Sequence, residues 1–161
     1  MKFNFFCWIL WLVGYVVKTQ IFPKMQFTTS PLLVRYSDTD QMGFVHHSNY
    51  LRYFEIARLE WLKELGISYK KMEEEKLLLP VAGAHINFLR PCYFEDQLRV
   101  TVILEALPKA SMDFTYEIRN QHGELVCTGS TRLAFLDAHT GRPTRCPQQL
   151  YQAFESLCET E

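Results

Sequence analysis

Apolar positions change period along this chain, and each change marks an element. From Gln26 to Tyr36, the residues Phe27, Leu32, Leu33, Val34 and Tyr36 predict a first strand, with Pro31 placing a break or an edge inside it. Ser37 to His47 reads as a loop. From there Tyr50, Leu51, Tyr53, Phe54, Ile56, Ala57, Leu59, Trp61, Leu62 and Leu65 predict a long helix, with Ser48 or Asn49 as its cap and Gly66 as its stop. These residues cover more than one face, so other structure is expected to enclose the helix. Arg52, Glu55 and Arg58 recur at i,i+3 spacing and predict ion pairs along one polar strip.

After a short exposed helix over Ser68 to Lys76, the period falls to two. Four strand-type segments follow: Leu77 to Leu89, Gln97 to Leu107, Ser111 to Asn120 and Glu124 to Asp137. Leu98, Val100, Val102 and Leu104 alternate with Arg99, Thr101, Ile103 and Glu105, and Met112, Phe114, Tyr116 and Ile118 alternate in the same way. Gln121-His122-Gly123 is a hairpin turn between the last two segments. Pro147 to Leu157 reads as an amphipathic helix. One helix followed by meandering strands predicts an antiparallel sheet and an α+β fold, with the long helix on the sheet's concave face.

Composition alters this picture at one end only. Residues 1–24 contain Lys2, Lys18 and Lys24, no acid, and the 13-residue apolar run Phe5 to Val17. That run is shorter than the roughly 20 residues a bilayer span needs, and no small-x-small cleavage site follows it. Three readings stay open: an upstream extension of the reading frame with Met25 as the start, a membrane-associating segment, or a cleaved signal. Residues 25–161 are read as a single domain. A formal charge of −1, without basic runs interleaved with aromatics, argues against a nucleic-acid partner. Five scattered cysteines without a Cys-x-x-Cys pair argue against a disulfide framework and a zinc site, and suit a reducing, cytoplasmic compartment.

The candidate chemistry lies between Tyr36 and Arg58. Asp38 and Asp40 precede a glycine turn at Gly43, and His46 and His47 stand where the long helix begins. A carboxylate beside a helix N-terminus can serve as base or nucleophile, while the helix offers N–H groups to an oxyanion. Asp38 is expected to pin the turn or cap a backbone group, and the bland alternative for the whole segment is an Asx-type turn. Adjacent His46 and His47 cannot both face one site, and nothing around them forms a metal-ligand set. His85 is expected on the sheet surface or at an interface.

The pattern Tyr36-x-Asp38-Thr39-Asp40-x-x-Gly43-x-Val45-x-His47-x-x-Tyr50-x-x-x-Phe54-Glu55-x-Ala57-Arg58 resembles the hot-dog-fold acyl-CoA thioesterases of the 4-hydroxybenzoyl-CoA thioesterase type. It is most similar to the subgroup associated with the Tol-Pal operon, over about Leu33 to Pro147. His46 departs from the aromatic residue usual in that subgroup, and the apolar leader is not typical of the family. The resemblance implies a hot-dog fold, a five-stranded antiparallel sheet wrapped around one long buried helix. It implies an acyl-CoA substrate, no metal or organic cofactor, and a homodimer or homotetramer with sites built from two subunits. Asp40 would be the catalytic carboxylate. His47 would act through its backbone N–H, its ring, or merely as a helix cap. Tyr36 and Gly43 would line the site. Lys109, in the turn Pro108 to Ser111, is the first choice for the CoA phosphates, ahead of Arg90, Arg142 and Arg145. Membrane contact would come only through residues 1–24. Two other readings remain: a catalytically silent acyl-CoA-binding or membrane-tethered protein, and a hot-dog dehydratase of 3-hydroxyacyl thioesters, whose His-Phe-Pro-Gly type loop is missing from this sequence.

Overall fold

The computed structural model describes residues 25–158. The readings of residues 1–24 lie outside the described residues. Strands β1 (Met25–Thr28) and β2 (Leu32–Leu33) lead into a single 3-10 turn, Tyr36–Asp38. Helices α1 (Asn49–Glu64) and α2 (Tyr69–Glu74) follow, then β3 (Leu77–Leu78), β4 (Val81–Phe88), β5 (Gln97–Leu104), β6 (Ser111–Arg119), β7 (Leu125–Ala134), β8 (Leu136–Asp137) and α3 (Gln148–Cys158). The main sheet is antiparallel in the order β1-β5-β6-β7-β4, with β2 also paired to β5, and β3 and β8 form a separate two-stranded sheet.

The period-two reading of the strands explains the core. Leu98, Val100, Val102 and Leu104 of β5, and Met112, Phe114, Tyr116 and Ile118 of β6, are all buried. The sheet has six strands where five were expected, because the first strand is broken at Pro31. Met25 pairs with Leu104 and Thr28 with Thr101, but Leu32 pairs with Leu98, so the register slips by one residue across the break. The segment Leu77 to Leu89 also divides, at Leu79-Pro80, where proline has no N–H to give a ladder.

Helix α1 packs on β5, β6 and β7. Phe54 is fully buried and stacks on Tyr116 with ring centroids 4.1 Å apart. The same ring lies over Gly129 of β7, where a Cβ would come within 2.7 Å of both the ring and the His85 carbonyl oxygen. A residue without a side chain is what allows the helix this close to the sheet. Trp61 meets Phe154 of α3, which closes the far end of the core. Enclosure of α1 is incomplete within one protomer, since Leu51, Ile56 and Leu59 remain about two-fifths exposed, at 41%, 37% and 38%.

Two expectations on α1 are corrected. The Ser48 hydroxyl makes no capping bond to the helix and shares a 2.8 Å hydrogen bond with His46 Nδ1. Glu55 and Arg58 form no ion pair. Arg58 is only 8% exposed and donates through Nη1 to the hydroxyls of Tyr116 (2.9 Å) and Thr131 (3.5 Å). Those hydroxyls sit on the buried face of the sheet, where a polar tip without a partner is costly, and the arginine answers them.

Candidate active site

The loop between Asp38 and His47 is held from three sides. Asp38 Oδ2 accepts from the Arg35 backbone N–H (2.9 Å) and from the Tyr53 hydroxyl (3.2 Å). The Asp38 carbonyl accepts from the His46 N–H and from Asn49 Nδ2, both at 2.8 Å. The first acid of the motif therefore ties the loop to α1. A backbone bond from Val45 to the Cys92 carbonyl anchors the other side.

Asp40 opens a tight turn, accepting at its carbonyl from the Gly43 N–H (2.9 Å) and at Oδ1 from the Met42 N–H (2.8 Å). Gly43 has φ +82° and open space where a Cβ would stand, so backbone conformation, not crowding, calls for glycine here. Among the described residues nothing else bonds the Asp40 carboxylate, and its Oδ2 stays available.

Asp40 and His47 line one cavity of about 440 Å³, with Phe44, Tyr50, Phe88 and Arg90 among its walls. The two sequence-chosen residues thus come together at the start of α1. His46 stays out of that cavity, its ring 4.0 Å from the His47 ring and held by Ser48. Among the described residues no group accepts a hydrogen bond from the His47 backbone N–H. That leaves a donor at the positive end of the helix dipole.

Protonated groups lie in the cavity wall at Tyr50 and in the core around it. Burial pushes the Tyr50 hydroxyl far above the usual tyrosine range, helped by a hydrogen bond with the Cys92 thiol. Burial and then the Asp38 charge raise Tyr53 in the same sense, which keeps it a donor to Asp38. Burial pushes the Cys127 thiol up to about 12 and also raises Cys92, so neither is a thiolate near neutral pH.

Three other residues fall elsewhere. Tyr36 does not end a strand; it starts the 3-10 turn, is 79% exposed, and meets only the edge of Phe94 (centroids 5.8 Å apart). Lys109 lines a broad open groove of about 830 Å³ with His85, Ser130 and Arg132, away from Asp40 within the protomer. Arg90, a secondary choice for phosphate, is the cation in the Asp40 cavity wall and lies 3.8 Å from Glu124. Phe88 ends β4 and Arg90 lies two residues beyond it, so their meeting with Asp40 joins segments that no local pattern in the sequence links. Among the described residues no His, Cys, Asp and Glu group has the arrangement of a metal site.

Comparison with known proteins defines the class of this fold and site. Residues 34–154 match the family model of the thioesterase-like superfamily, and the chain belongs to that superfamily. It is 31% identical to YneP, a candidate acyl-CoA thioesterase of Bacillus subtilis (strain 168), over 74% of this chain and 86% of that one. It is 30% identical to the acyl-CoA thioesterase YbgC of Haemophilus influenzae, over 79% of this chain and 93% of that one. A crystal structure of the DHNA-CoA thioesterase from Staphylococcus aureus superposes with a TM-score of 0.78 at 31% identity, covering 82% of this chain and 90% of that one. The hot-dog thioesterase fold expected from the motif is the fold observed.

Proposed function

We propose that the protein is an acyl-CoA thioesterase of the 4-hydroxybenzoyl-CoA thioesterase type, nearest to the Tol-Pal-associated subgroup. It hydrolyses an acyl-CoA ester to a free acid and CoA. The observation that carries this reading is the cavity shared by Asp40 and His47, where a carboxylate with an available oxygen lies beside a helix start. A thioester carbonyl held against that start meets an N–H donor and positive potential as its oxygen becomes an oxyanion. In the general-base route, a water oxygen bonds to the carbonyl carbon while Asp40 takes the proton. The C–S bond then breaks and the departing sulfur takes that proton. In the nucleophilic route, an Asp40 oxygen bonds to the carbonyl carbon, thiolate leaves, and water hydrolyses the resulting anhydride. Both routes consume one water and release one acid and one thiol.

The working form in this reading is a homodimer, or a homotetramer built from two such dimers, in the cytoplasm. Strand β4 ends the sheet order, so among the described residues its outer edge has no partner strand. Its sequence, Val-Ala-Gly-Ala-His-Ile-Asn-Phe, contains none of the Lys, Glu or Pro residues that usually blunt an exposed edge. Pairing through β4 would bring the groove of Lys109 from one protomer toward the Asp40 cavity of the other, where the CoA phosphates need a cation. Tyr36 would lie at the rim.

A panel of acyl-CoA esters with a free-thiol readout, run on protein starting at Met25, tests the reading. Turnover is expected, and Asp40→Asn is expected to lower kcat by about 10²–10⁴-fold with little change in Tm. Retained turnover in that variant would remove Asp40 from the mechanism. CoA esters that bind without being cleaved would make the chain a binding protein.

A further inference from the structure

A second cavity lies on the other side of Phe54. It holds about 250 Å³ between α1, α2 and the sheet, and Arg58, Glu55, Leu59, Tyr69, Glu73 and Val81 are among its walls. Arg58 is buried to 8% exposure, and its two hydrogen bonds both leave from Nη1. Nε and Nη2 donate to no described group, and neither is a sealed, unpartnered atom. Arg58 lines the cavity, and these are the donors it has left to offer there. No carboxylate among the described residues lies within ion-pairing distance of the guanidinium, although Glu55 and Glu73 share the cavity wall. A buried guanidinium with two idle donors is stabilised by any acceptor that enters.

Within one protomer this cavity is cut off from Asp40. Tyr50, Phe54 and Arg58 follow one another at one-turn intervals on α1, and the middle ring is packed on Gly129 and Tyr116. Strand β4 offers the other route. Phe88 lines the Asp40 cavity and Val81 lines the Arg58 cavity. They are about 23 Å apart along the strand, at about 3.3 Å per residue. If β4 pairs in full antiparallel overlap with a second copy of itself, Val81 of the partner subunit stands across from Phe88, with the two strands about 4.8 Å apart.

We propose that the Arg58 cavity of one subunit is the far end of the acyl site whose reacting end is the Asp40 cavity of the other, and that it selects acyl groups carrying a neutral oxygen at that end. This rests on the thioesterase reading and its dimer. Arg58 supplies donors to the oxygen. Glu55 and Glu73 oppose a carboxylate there and can accept a hydrogen bond from a hydroxyl. Arg58 is a specificity residue and takes no part in bond breaking.

The test uses matched pairs of ω-hydroxyacyl-CoA and the alkyl analogue in which methyl replaces the hydroxyl, with chains of increasing length. The intact protein is expected to favour the hydroxyl-ended member at the length that spans the two cavities. Arg58→Met is expected to reduce that kcat/KM ratio by about 10- to 100-fold, the range for a hydrogen bond to a charged group. A purely structural Arg58 would lower both members alike and leave the ratio unchanged. Leu59→Phe, at a position 38% exposed, fills the cavity without touching the Tyr116 and Thr131 contacts and is expected to shorten the longest chain accepted. Dimers mixed from Arg58→Met and Asp40→Asn chains contain one site with both residues intact, and are expected to regain the preference. A ratio of one at every length, a ratio unmoved by Arg58→Met, or mixed dimers without recovery would overturn the proposal while leaving the thioesterase reading in place. Silence toward every ester would end both.

Discussion

Asp38 and Asp40 stand two residues apart and use their carboxylates differently. Asp38 has its oxygen on Arg35 and Tyr53, whereas Asp40 has one oxygen on its own turn and the other available to the cavity. The Asx-type turn falls on Asp40, whose Oδ1 accepts from the Met42 N–H and leaves Oδ2 over, while Asp38 caps the Arg35 backbone N–H. His47 was harder to read. Its ring lines the cavity and its backbone N–H is a donor at the helix start, and the two features offer different chemistry. If the N–H carries the oxyanion, His47→Ala keeps kcat within about 10-fold of the parent, because the backbone survives the change. A loss of the 10²–10³-fold size seen when an oxyanion donor is removed would assign the role to the ring. Steady-state kinetics on one ester decides between them.

At the scale of elements, the junction of α1 and the sheet sets where the site lies. Gly129 admits Phe54, Phe54 stacks on Tyr116, and Tyr116 and Thr131 hold Arg58. Gly129→Ala puts a methyl group 2.7 Å from a buried ring and a strand carbonyl, so one of them must shift. A destabilisation of about 1–3 kcal/mol is expected, seen as a fall in Tm of several degrees. An unchanged Tm would mean that the helix does not sit this close. The sequence made the strands and helices visible because burial imposes period two on β5 and β6 and helical spacing on α1. It did not reveal Gly129, which has no pattern of its own, and it misassigned Arg58. Spacing on one helix pointed that side chain to Glu55, but the acceptors on two distant strands drew it inward.

Among the described residues, at the scale of the whole molecule, the outer edge of β4 and one flank of the central helix are uncovered. Strand β4 and the exposed Leu51, Ile56 and Leu59 lie outside the protomer's own core. Ala84→Glu places a charge in the middle of β4 at a position already exposed, so the protomer should still fold. Expected results are a monomer by sedimentation and a large loss of thioester turnover. A dimer that persists with full activity would show that β4 is not the contact.

Sequence alone carried the order of the main elements and the motif from Tyr36 to Arg58, because both depend on local spacing, and the resemblance of that motif supplied the choice of Asp40 and His47. Tertiary structure decided the rest. It placed Phe88 and Arg90 beside Asp40, turned Arg58 away from Glu55, took Tyr36 out of the strand, and separated Lys109 from the Asp40 cavity. All of these depend on contacts between segments far apart in the chain. Such contacts are set by which buried polar groups find partners and which rings can approach a strand, and no periodicity along the sequence records them.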